Sequence, residues 1–82
     1  MDQIKILRTR IDSLDDEIME LLQQRFNIVL AIGSAKSEQK KAILDSSRED
    51  FILDKASKYS HSPQIKTVYS SIMSEAKILQ RK

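Results

Sequence analysis

The chain has no cysteine and no tryptophan, one histidine, one glycine, one proline and four Phe or Tyr residues among 82. Without cysteine there is neither a disulfide framework nor a thiolate metal site. His61 alone cannot make a zinc or iron site, and nothing near it supplies partners at ligand spacing. No long apolar run occurs, and the start Met1-Asp2-Gln3-Ile4-Lys5 is not a secretory leader, so the expected compartment is the cytoplasm and no membrane span is expected. Fourteen basic against 12 acidic residues give a net charge of +2. That excess favours small anions mildly. It is no nucleic-acid footprint: the only dense basic spot is Lys40-Lys41, and the aromatic residues are not interleaved with basic ones as stacking platforms would be. Ser-His-Asp sets, Cys-His pairs and Gly-rich phosphate loops are equally absent.

What remains is a helical composition. From Ile4 the heptad positions read Ile4, Ile11, Ile18, Arg25, Ile32, and a second seam reads Leu7, Leu14, Leu21, Ile28, Ala35. Apolar residues at this spacing predict an amphipathic helix rather than a strand. It should run over about residues 2–39, roughly 55 Å at 1.5 Å per residue. The stripe stops over residues 40–45, and Ser46-Ser47-Arg48-Glu49 then reads as a capping box, with Asp45 as an alternative cap. A second helix is expected over about residues 47–58, with Phe51, Ile52, Leu53 and Ala56 on its apolar face. Ser62-Pro63 reads as an N-cap followed by proline at the first helical position. The third helix, about residues 63–81, carries Ile65, Val68, Tyr69, Ile72, Met73, Ala76 and Leu79. The fold is thus all-α, one domain over residues 1–82, three helices with one very long. The two later helices together are barely as long as the first, so one subunit cannot cover its seam. A symmetric dimer is the simplest closure.

Several polar residues interrupt this pattern. Arg25 occupies a core heptad position between Ile18 and Ile32, where a buried guanidinium is unfavourable unless an anion pairs with it. It either sets register or snorkels to the surface, or it binds a ligand. Lys36 lies eleven positions on, close to three full turns, so both side chains face nearly the same way across roughly 16 Å and could bracket a small dianion. Taken alone, Lys36 reads as a solvated lysine. Arg8 precedes Arg25 by about 25 Å of helix, too far for both to grip one small molecule from one straight helix. If Arg8 is functional it acts in trans, from an antiparallel partner; otherwise it is an ordinary exposed residue. Gln80 falls on the third helix's stripe and either donates into a buried site or frays with the helix end. Glu49 is sufficiently explained by the capping box. Cations, an amide and a carboxylate suit anion binding and stabilisation of separated charge. They do not suit nucleophilic attack.

Four segments also resemble one known family. Leu7-Arg8-Thr9-Arg10-Ile11-Asp12-Ser13-Leu14-Asp15 is similar to the L-R-x-x-I-D-x-L-D opening of the all-helical chorismate mutases. Leu21-Leu22-Gln23-Gln24-Arg25 resembles their L-L-x-x-R, Ile32-Gly33-Ser34-Ala35-Lys36 their V/I-G-x-x-K, and Asp45-Ser46-Ser47-Arg48-Glu49 their D-x-x-R-E. The resemblance spans nearly the whole chain. It implies an intertwined six-helix homodimer that converts chorismate to prephenate by a Claisen rearrangement, in phenylalanine and tyrosine biosynthesis, with no cofactor and no metal. By the same resemblance, Arg25 of one subunit and Arg8 of the other hold the two substrate carboxylates. Lys36 reaches the ether oxygen and a carboxylate, Gln80 is the second donor to that oxygen, and Glu49 accepts from the ring hydroxyl. Arg48 and Asp45 complete the wall. Ala76 departs from the family pattern, standing where some members have a serine that helps hold a carboxylate. Ala42 replaces a frequent loop proline, which implies a more mobile segment over residues 40–44. Gly33 has its own reason: close packing of another helix against the backbone.

The nearest rival is isochorismate-pyruvate lyase on the same scaffold, against which Glu49 speaks because it suits a hydroxyl at the mutase's position. The rival of a different kind is a non-catalytic helical dimer, structural or regulatory. The resemblance also leaves room for association with another shikimate-pathway enzyme.

Overall fold

The computed structural model describes residues 2–39 and 45–81, so the segment in which Ala42 lies, with its expected mobility, is outside the described residues. Within them the chain forms three helices, α1 (Gln3–Glu38), α2 (Ser46–Ala56) and α3 (Ser62–Arg81). None is long and apolar enough to cross a membrane.

Asp2 starts α1, its carboxylate accepting from the Ile4 N–H at 3.0 Å. The 36-residue helix closes at Gln39, whose N–H reaches the Ala35 carbonyl. Lys36 in the last turn complements the negative end of the helix dipole.

The start of α2 differs from the expected capping box. Asp45, not Ser46, is the cap: its Oδ1 accepts the Arg48 N–H at 3.0 Å and the Ser47 hydroxyl at 2.8 Å. A carboxylate at this position satisfies an orphan N–H and also carries the charge that the helix N-terminus favours. Glu49 is thereby released from capping and faces α3. The helix also ends two residues before the expected 58, because Ser57, Tyr59 and Ser62 each donate three residues back, to Asp54, Ala56 and Tyr59. These tight turns lead directly into α3, whose first helical bond runs from the Ile65 N–H to the His61 carbonyl. Pro63 therefore sits at the second helical position, where its missing N–H still costs nothing.

Helix α3 packs against both others. Met73 and Ala76 of α3, Val29 and Gly33 of α1 and Ala56 of α2 are the buried ones among the described residues, a core made of small or thin side chains. Among the described residues no large side chain is fully buried. The α1–α3 crossing is close because of Gly33. A Cβ there would lie 3.1 Å from Gln80 Cγ and 3.3 Å from its Cα. Gly33→Ala would gain about 1 kcal/mol of helix propensity but incur overpacking of roughly 1–3 kcal/mol, since the Gln80 backbone can yield only by moving α3. The expected outcome is a lower thermal midpoint.

Much of the expected seam is bare. Ile4, Leu7, Ile11, Leu14, Ile18 and Leu21 are 42–62% exposed, all on one stripe of the N-terminal half of α1. Val68, expected on the covered face of α3, is 57% exposed. It joins Ile18, Leu21, Leu22, Ile65 and Ile72 around an apolar groove of about 360 Å³ between α1 and α3. The molecule measures 58 × 24 × 15 Å with a radius of gyration of 16.1 Å, against about 12 Å for a compact chain of this length.

Candidate functional site

A cleft of about 230 Å³ opens where the C-terminal half of α1, the start of α2 and the end of α3 converge. Ile28, Val29, Ile32, Ile52, Met73 and Ala76 give it apolar walls. Into it come Arg25 and Lys36 from α1, Asp45, Arg48 and Glu49 from α2, and Lys77 and Gln80 from α3. Six of the seven residues singled out in the sequence thus share one cleft. Arg8 does not: it is exposed on the N-terminal half of α1 and lines no part of it. Four cations against two carboxylates leave the lining net positive, so it favours an anion. Among the described residues no group of three or more His, Cys, Asp or Glu side chains could hold a metal ion.

Arg25 and Lys36 are both half-buried, as side chains three turns apart on one face should be when another helix covers that face. The Arg25 guanidinium carbon lies 5.9 Å from the centre of the Tyr69 ring on α3, and among the described residues no carboxylate is within ion-pair distance of it. A ring orients and partly desolvates a guanidinium but cannot neutralise it. The forked donors therefore remain available for an anionic ligand. Arg48 stands over the ring of Phe51, one turn on in α2, at 5.2 Å.

Gln80 is not frayed. It is half-buried, and its Nε2 donates to the Val29 carbonyl at 3.3 Å, tying the end of α3 to the middle of α1. Val29 lies one turn before Gly33, so the side chain that glycine lacks is what lets Gln80 reach that carbonyl. The bond also fixes which way the amide points, nitrogen towards the carbonyl. An amide nitrogen has two hydrogens, and one is left for the cleft.

The Asp45 carboxyl is held below the ordinary aspartate range. The Arg48 N–H is the main cause, followed by the Ser47 hydroxyl, with the Lys36 and Arg48 charges adding to them and partial desolvation opposing. A depressed folded-state pKa stabilises above the unfolded value, and the stabilisation is lost as pH falls through the folded one. Asp45→Ala should therefore lower the thermal midpoint by a few degrees at neutral pH, and the gap to the parent should close as pH falls below the ordinary aspartate range. Asp45→Asn, which can still accept the Arg48 N–H but lacks the charge, should lose less of the neutral-pH midpoint than Asp45→Ala. Circular dichroism melts at the two pH values read both results.

Lys77 joins the cleft in addition to the residues expected from the sequence. Its Nζ lies 3.1 Å from Glu49 Oε1, with side chains 31% and 27% exposed. The available signal was position: Lys77 is three residues before Gln80 and adjoins Ala76, so it shares the end of α3 that faces the cleft.

The profile of the type II chorismate mutases matches residues 7–81. The chain belongs to that family. It is 33% identical, over 99% of its length, to a bifunctional chorismate mutase/prephenate dehydratase of Buchnera aphidicola subsp. Acyrthosiphon pisum (strain APS), of which it spans 22%. Among solved structures it superposes on a conserved hypothetical protein from Pyrococcus furiosus with a TM-score of 0.86 and 31% identity, covering 98% of this chain and 97% of that one. Both similarities extend over the long first helix as well as the cleft.

Proposed function

We propose that the protein is a chorismate mutase, converting chorismate to prephenate by an intramolecular Claisen rearrangement in a homodimer. The observation that carries this reading is the convergence of Arg25, Lys36, Glu49 and Gln80 on one apolar-walled cleft in a chain of this family. In the reaction the ether C–O bond breaks as a C–C bond forms within one molecule, and negative charge develops on the ether oxygen. A protein accelerates it by holding the compact conformer and by placing donors at that oxygen.

Each role suits the group assigned to it. Arg25 offers a guanidinium fork for a substrate carboxylate. Lys36 and the second N–H of the Gln80 amide serve the ether oxygen, the latter pre-set by its bond to Val29. Glu49 accepts from the ring hydroxyl, and Asp45 and Arg48 close the wall. Arg8 comes from the partner subunit to hold the second carboxylate, because its own Arg25 is about 25 Å away along α1.

The homodimer is supported by the bare stripe from Ile4 to Leu21 and by the apolar groove beside Val68. Exposed apolar stretches of this extent mark an interaction surface. An antiparallel α1 from a second copy would cover both and bring Arg8 towards Arg25. The cleft is also smaller than the roughly 300 Å³ at which small-molecule pockets usually begin, as a site awaiting one more wall should be.

Incubating the purified protein with chorismate and identifying the product tests the assignment. Prephenate is expected. Pyruvate released from isochorismate, with chorismate untouched, would reassign the site to the lyase; turnover of neither would leave a helical binding module.

A further inference from the structure

We infer that Lys77 is a positioning residue for substrate recognition, acting through Glu49; the inference rests on the mutase reading above. Glu49 is not needed to cap α2, since Asp45 provides the cap. The cleft also holds Arg25, Lys36 and Arg48, any of which attracts a carboxylate. Left to itself, Glu49 could turn to one of these with both oxygens. The Lys77 ammonium, 3.1 Å from Oε1, holds it to α3 instead. One oxygen is then engaged and the other is free to accept from a hydroxyl.

The residue beside it strengthens the point. Ala76 is buried against the core and offers the cleft only a methyl group. Lys77 is therefore the charged group that α3 supplies to the lining, and Gln80 the neutral one. Both side chains of the pair are about one-third exposed or less, so solvent screens their attraction only in part.

The consequence is a split between kinetic constants. The ring hydroxyl is not at the bond that breaks, so a contact to it is equally strong before and during the reaction. Losing such uniform binding raises KM and leaves kcat nearly unchanged. Lys77→Met should raise KM for chorismate about fivefold, with kcat within about twofold of the parent. Lys77→Arg should restore KM, because a guanidinium pairs with the same carboxylate. In a Glu49→Gln background, Lys77→Met should add no further change, since the group it positions is already altered.

Steady-state kinetics on chorismate with the full-length variants, alongside thermal midpoints, decides the matter. An ion pair with a structural role alone would lower the midpoint of Lys77→Met and leave KM within about twofold, and that result would overturn the inference. So would a KM increase of the same size in the Glu49→Gln background. If Lys77→Met folds poorly, Lys77→Gln carries the same comparison. A parent protein that does not turn over chorismate at all would instead remove the mutase reading, and this inference with it.

Discussion

Replacing Arg25 with alanine should reduce kcat/KM for chorismate by about a thousandfold, or ~4 kcal/mol at 1.36 kcal/mol per factor of ten, while the protein stays folded. Truncating one member of a desolvated, hydrogen-bonded charge pair costs roughly 2–5 kcal/mol, and the substrate carboxylate is the member that would be left without its partner. In the free protein the guanidinium stands over the Tyr69 ring and has no carboxylate within ion-pair distance among the described residues, so stability has little to lose. The thermal midpoint should hold or rise, because alanine suits a heptad core position better than an unneutralised cation. A non-catalytic dimer would show the stabilisation and no other change.

The same substitution tests the shared site. Arg8→Ala should be similarly inactive, although Arg8 is exposed on a part of α1 remote from the cleft. After the two inactive variants are mixed and allowed to exchange subunits, half of the dimers are mixed, and each mixed dimer carries one site with both arginines. About a quarter of parental activity should return, by the symmetry of a two-fold interface. Recovery has no source if each subunit works alone, so a mixture that stays inactive after exchange would refute the contribution in trans.

The all-helical architecture was legible because one property repeats: apolar residues at helical spacing from Ile4 to Ala35 and from Ile65 to Leu79. Arg25 and Lys36 were legible for the converse reason, as cations whose spacing sets them on one face. Details that depend on competition between neighbours were not. Asp45 and Ser46 can both cap a helix, and the carboxylate prevails because it accepts from the Arg48 N–H and the Ser47 hydroxyl together while lying close to the Lys36 charge. That choice frees Glu49 from the capping box that its spacing from Ser46 predicts. Spacing sets Lys77 on the face of Gln80, but its pairing with Glu49 is not a matter of periodicity, since the pair joins two helices 28 positions apart. Val68 lies on the stripe by spacing, yet it stays exposed, lining the groove between α1 and α3 that no other helix among the described residues covers. Periodicity identifies a face but not the element that covers it.

Gln80 offers the second large effect, in which pH is the variable. In Gln80→Glu the side chain keeps its length and shape, but a carboxyl group replaces the amide 3.3 Å from the Val29 carbonyl. An ionised carboxylate there opposes a carbonyl oxygen and has no hydrogen for the ether oxygen; the protonated acid can donate. Partial burial and the facing carbonyl raise the carboxyl's pKa, while the Lys36 ammonium in the same cleft lowers it. The active form is thus the protonated one whatever the resulting value. Activity should be lost by about a hundredfold at neutral pH and recover as pH falls, about tenfold per pH unit until the acid is fully protonated. Gln80→Leu should be inactive at every pH, which separates protonation from a general effect of acid. Full activity of Gln80→Glu at neutral pH would show that no hydrogen need come from this position, and the ether-oxygen contact would then fall to Lys36 alone.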